Sequence, residues 1–297
     1  MGGWRSWAGG LCALAGRSAK NFARHDMAVY AMALAYRGLF ALLPFALFLA
    51  SVLSFLRADA VLLWLAERGP PGLRGPLPDL IGWLEEGILG RTQGGVLFIA
   101  LALAFWSVSA GARLLTKALN AVFEAEETRP ALKRVAASVT VAPALALATI
   151  AALALLLATS RAMAWVSSWV GLDAIFVSLW GLLRIPAALL LLSLVVSAAY
   201  RFAPNRRLAP RSVLPGALFA VALWALASAA FALALAYFPN YGAAYGSLGA
   251  AISLLLYLYV SAAAVLLGAE VNAAMLRDPP PRHQTRTDRT PTPPHRG

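Results

Sequence analysis

Apolar residues in this chain come in long runs instead of the narrow stripe of a helix that buries one face and wets the other. Six windows, residues 29–56, 95–115, 135–159, 182–200, 213–238 and 248–276, are long enough to cross a hydrocarbon core of about 30 Å, which takes about 20 helical residues. Alanine and leucine dominate them, and an open sheet edge finds no partner in lipid, so every window is predicted to be a helix. Between the third and fourth windows, residues 163–180 are apolar but broken by Gly171 and Asp173 and hold Trp165, Trp169 and Trp180. They read as an interfacial helix with a tryptophan belt. In the first connection, Leu80, Ile81, Leu84 and Ile88 fall at helical spacing after a Gly and Pro stretch, with Glu85 and Glu86 on the other face. That is a surface helix capping the outer rim, or a lid.

The polar positions set the orientation. Lys and Arg number eighteen in the N-terminal segment, the second and fourth connections and the tail, against six on the alternate side. By the bias of cytoplasmic loops toward Lys and Arg, both termini are cytoplasmic. Residues 1–28 place Trp4, Trp7, Leu11, Leu14 and Phe22 among Arg5, Arg17, Lys20 and Arg24, as suits an amphipathic segment in the inner interface or a loosely ordered leader. The scattered charges and short, Gly-broken apolar run predict that this segment is kept, not cleaved as a signal peptide. Residues 29–276 form the membrane domain, and the Pro- and Arg-rich tail, 277–297, is expected to be disordered.

Composition agrees with a polytopic, all-α membrane protein. Apolar residues make up 61% and charged residues 13%, against roughly 25% charged in soluble domains. The net charge of +12 would point to nucleic acid in a soluble protein, but topology accounts for most of it, and no nucleic-acid partner is expected. Cys12 is the single cysteine, which excludes an intrachain disulfide.

Candidate chemistry sits toward the inner ends of the spans. Glu270 and Asn272 lie in the last window and Arg37 in the first, and ionisable groups in a bilayer cost about 2.5 to 3.5 kcal/mol at a helix centre and usually have partners. Arg37 is about eight residues from the inner end of its window, roughly 12 Å deep, and Glu270 seven residues before Arg277, roughly 10 Å deep, at 1.5 Å per residue. The matched depths predict an Arg37–Glu270 pair; the alternative is that Arg37 snorkels to headgroups and a neighbouring Arg or Trp satisfies Glu270. Arg113, Lys117 and Asn120 follow at spacings of four and three on one helical face, either lining a vestibule or anchoring the inner leaflet. Arg201 and Asn205 close the fourth span at the same level. Pro44, mid-span, and Gly242, Gly246 and Gly249, ahead of the last helix, are candidate hinges.

Seven short pieces then appear in order: LAYRGLFALLP (34–44), WSVSAG (106–111), ALN (118–120), YRFAPN (200–205), LPGA (214–217), YGSLGA (245–250) and GAEVN (268–272). On these the sequence resembles the YihY/BrkB family of bacterial inner-membrane proteins, which long carried a ribonuclease BN label. The resemblance covers residues 26–272, nearly the whole chain. It implies a six-span cytoplasmic-membrane protein with a role in envelope integrity, and no catalytic mechanism. Arg37 departs from the family, which usually has an uncharged residue there, and Tyr257 stands where a tryptophan is common.

Two functional classes stay in view. A transporter or flippase-like protein would take an anionic lipid or lipid-linked envelope component into a cytoplasm-facing vestibule of Arg37, Arg113, Lys117, Asn120, Arg201, Asn205, Glu270 and Asn272, with basic pockets between spans suited to headgroups. A non-catalytic scaffold would use Glu270 for packing and register. Nuclease chemistry needs clustered metal ligands facing water, whereas the histidines are only His25, His283 and His295, and Glu124, Glu126 and Glu127 share a loop without any. No enzyme activity, metal or cofactor is expected, and the absence of a GxxxxGK[ST] loop argues against ATP-driven transport by this chain alone.

Overall fold

In the computed structural model the described residues are 3–55, 95–130, 149, 151, 174–206, 208–237 and 241–277. The predicted third span, the outer-rim helix, residues 163–173 and the C-terminal tail beyond 277 fall outside them, apart from positions 149 and 151, which are helical. The described residues form α-helices joined by turns and contain no strand. The helices are α1 (Gly3–Arg24), α2 (Met27–Phe55), α3 (Gly95–Val122), α4 (Ala174–Phe202), α5 (Pro210–Tyr237) and α6 (Tyr241–Arg277). Among the described residues, four stretches are long and apolar enough to cross a membrane: Met27–Phe45, Leu182–Phe202, Pro210–Ala234 and Gly249–Arg277.

Two boundaries differ from the sequence reading. Residues 174–180 are not a separate interfacial helix but the first turns of α4; Gly181 alone does not interrupt a helix whose other residues favour it. Gly242, Gly246 and Gly249 lie inside α6 rather than in a break before it, while Pro44 lies within α2, mid-helix as expected. Three glycines spread over eight positions are diluted by Ala243, Ala244, Tyr245 and Leu248, and the helix propagates through them.

Packing runs in the order α4, α5, α6, α2, α3, with α1 laid against α6. The core collects at one end of the bundle: Met27 and Ala31 of α2, Leu119 and Val122 of α3, Phe123, Tyr200 of α4, Val213 and Ala217 of α5, and Leu266, Ala269 and Ala273 of α6. The starts of α2 and α5 therefore meet the ends of α3, α4 and α6 at one level. Elsewhere the spans turn large apolar side chains outward, such as Leu43, Phe98, Leu182 and Leu226, as expected where the solvent is lipid.

Helices α5 and α6 approach closely at Gly216 and Gly268. A Cβ placed on Gly216 would collide with the carbonyl oxygen of Gly268, and one on Gly268 with the carbonyl of Gly216. Only glycine at both positions lets the backbones touch, the small-residue contact typical of membrane helices.

Candidate functional site: a cationic cavity above a polar latch

Turn geometry sets the inner end. Helix α3 stops where Glu124 adopts φ 50°, with Ala125 N donating to Asn120 O at 2.8 Å and Glu124 N to Ala121 O at 3.3 Å. This is the double-bonded Schellman stop, with glutamate where glycine is usual. It aims the loop 123–130 at the neighbouring helix ends. Asp26, φ 53°, makes the corresponding corner between α1 and α2.

Asn120, buried at the end of α3, joins two neighbours. Its Nδ2 donates to Glu127 Oε2 at 2.8 Å, and its Oδ1 accepts from the backbone N–H of Asn205 at 2.7 Å. Asn205 in turn donates through Nδ2 to Glu126 O at 2.8 Å and Thr128 Oγ1 at 2.9 Å. Arg129 donates to Asn205 Oδ1 at 2.9 Å and to Pro204 O at 2.8 Å. The α3 loop is thereby fastened to the end of α4, and Tyr200 one turn earlier donates its hydroxyl proton to Val265 O of α6.

Asn272 does the same for α5 and α6. Its Oδ1 accepts from Gly216 N at 2.7 Å and its Nδ2 donates to Val213 O at 2.8 Å. Both groups flank Pro215, whose ring removes a helical donor, and the buried amide pairs backbone groups that lipid would leave unsatisfied.

Glu270 is fully buried, and its Oε1 lies 2.6 Å from His25 Nδ1. With the proton on Nδ1, the imidazole donates to the carboxylate, and Nε2 accepts from Arg24 at 3.2 Å. Glu124 Oε1 accepts from both Arg24 at 3.3 Å and Arg277 at 2.8 Å. These outer ion pairs are exposed, so each contributes about 0–1 kcal/mol; the inner His25–Glu270 contact holds α1 to α6.

This corrects the expected Arg37–Glu270 pair. Sequence arithmetic took Arg277 as the membrane boundary, but Arg277 reaches back to Val122 O and Glu124 at the end of α3. Glu270 is consequently level with the start of α2, where His25 stands, and Arg37 is ten residues farther along. His25 entered the sequence reading only as one of three histidines, too few and too scattered for a metal site. The signal that could have found it is its place at the foot of the first span, among Arg24 and Asp26.

Arg37 instead lines a cavity of ≈ 490 Å³ with Arg113, Lys117 and Asn120, walled by Tyr30, Ala110, Leu114 and Thr116 and closed at one side by Glu127. Half of the eight predicted contact residues thus come together. Asn205, Glu270 and Asn272 belong to the latch below, and Arg201 points outward over the Phe202 ring at 5.5 Å. Arg113 stands 5.9 Å from the centre of the Trp106 ring. Among the described residues, no hydrogen bond or ion pair engages Arg37 or Lys117. Glu127, the single carboxylate on the wall, is bound by Asn120 at 2.8 Å and by Arg129 N at 3.2 Å.

Apolar helices with a polar interior end define a helical membrane protein. A profile of the family described as Virulence factor BrkB matches residues 18–292, and the chain belongs to that family. It is 32% identical to the ribonuclease-like protein YfkH of Bacillus subtilis over 82% of this chain and 87% of that one. It is 33% identical to a UPF0761 membrane protein of Nitrosospira multiformis, over 59% of this chain and 40% of the relative. A UPF0761 membrane protein of Xanthomonas campestris is 27% identical over 82% of this chain and 56% of its own length. The chain thus spans nearly all of the Bacillus protein and about half of the UPF0761 relatives. No solved structure matches.

Proposed function

We propose that the protein is a transporter or flippase-like protein of the bacterial cytoplasmic membrane, and that it takes the headgroup of an anionic lipid or lipid-linked envelope component into the Arg37–Arg113–Lys117 cavity. The carrying observation is that the guanidinium groups of Arg37, ten residues into α2, and Arg113, nine residues before the end of α3, line one cavity together with Lys117. Cations within apolar membrane helices are costly and mark pathways or ligand sites. The chain is read as six spans with both termini cytoplasmic, supported by the Lys and Arg distribution and by the corner before α2 and the end of α6 sharing one end of the bundle. The latch then faces the cytoplasm, with the cavity entered from that side. The protein acts without covalent chemistry, and the ribonuclease-like name stays with the Bacillus protein.

The scaffold reading draws on the latch, whose polar groups tie helices together. The test is reconstitution into vesicles with fluorescent anionic and zwitterionic lipids. Anionic lipid crosses faster with wild type, and Arg37→Gln with Arg113→Gln abolishes the gain. Equal rates in protein-free vesicles would favour the scaffold.

A further inference from the structure

Resting on the headgroup reading above, we infer that the cavity selects a terminal phosphate, a phosphomonoester or diphosphate, over the phosphodiester of ordinary anionic phospholipids. Arg37, Arg113 and Lys117 meet there, and the one wall carboxylate, Glu127, is turned to Asn120 and the backbone of Arg129. At least two positive charges therefore remain for a ligand. A phosphodiester brings one negative charge and two free oxygens; a terminal phosphate brings about −1.5 to −2 near pH 7 and three acceptor oxygens. Three acceptors match three cationic side chains, and guanidinium forks favour bidentate phosphate contacts. The remaining wall includes Tyr30, Ala110 and Leu114, suited to the apolar stem of a ligand, and Arg37 and Lys117 are exposed.

The test is a binding series on purified full-length protein in neutral detergent with phosphatidic acid, phosphatidylglycerol and phosphatidylcholine, and with glycerol 3-phosphate as the soluble arm. Phosphatidic acid is expected to bind about tenfold or more tighter than phosphatidylglycerol, the equivalent of one charge-assisted contact. That margin should shrink toward pH 5, where the second phosphate proton returns (pKa ≈ 6). Arg37→Gln and Lys117→Gln should each reduce the margin, and the wild-type comparison stands even where a variant fails to fold. Equal binding of phosphatidic acid and phosphatidylglycerol would overturn the terminal-phosphate inference and leave the anionic-lipid reading intact. Glycerol 3-phosphate binding as tightly as phosphatidic acid would support the phosphate chemistry but remove the lipid source. No preference over phosphatidylcholine would overturn both.

Discussion

Replacing His25 with alanine removes the one hydrogen-bond partner that a fully buried carboxyl group has among the described residues. Glu270 has no exposed surface, its Oε2 meets no donor among the described residues, and the His25 side chain is itself only 12% exposed. Leaving such a buried acceptor without its donor costs about 1–3 kcal/mol, more where it is charged. Glu270→Gln keeps an acceptor for Nδ1–H and exchanges a charge-assisted bond for a neutral one, a loss of about 1 kcal/mol. The double variant should then fall short of the sum of its parts by 0.5–3 kcal/mol, the usual coupling of residues in contact. Unfolding in mixed dodecyl maltoside and SDS micelles, followed by the fluorescence of the nine tryptophans, measures all four proteins. Trypsin cleavage at Arg24 should also accelerate in His25→Ala as α1 leaves α6. A His25→Ala protein within about 0.5 kcal/mol of wild type, or strictly additive effects, would refute the latch.

Other consequences follow from the same end of the bundle. Gly268→Ala drives a methyl group into the α5 backbone, and the forced separation should cost about 1–3 kcal/mol or more in the same unfolding assay. Asn272→Leu strands Gly216 N–H and Val213 C=O at about 1–3 kcal/mol per orphaned group, whereas Asn272→Asp retains the acceptor and should lie between. Arg129→Ala removes the guanidinium bonds to Asn205 Oδ1 and Pro204 O and leaves Asn205 holding the loop through Glu126 O and Thr128 Oγ1; proteolysis within residues 123–130 should quicken while lipid binding changes less than in Arg113→Gln.

The seven motifs were readable from the sequence because the groups that close the bundle must be particular residues. Gly216 and Gly268 permit the crossing, Asn272 serves the Pro215 turn, and Asn120 meets Asn205. Spacing also put Arg113, Lys117 and Asn120 on one face, and all three line the cavity. Depth arithmetic failed for Arg37 and Glu270 because it assumes that helices end level with the membrane. Helix α6 has 37 residues against 29 in α2, about 12 Å more at 1.5 Å per residue, and register along such a helix is set by its neighbours. Arg129 and Glu124 were counted only as loop charge, since nothing local marks a loop residue that reaches residues about eighty or more positions away.

The most direct test of the central claim is native mass spectrometry of protein released gently from membranes, with the retained lipids identified, for wild type and Arg37→Gln/Arg113→Gln. The account predicts an anionic lipid bound one to one by wild type and lost from the double variant while its fold persists. The same lipids at the same occupancy in both proteins would contradict it.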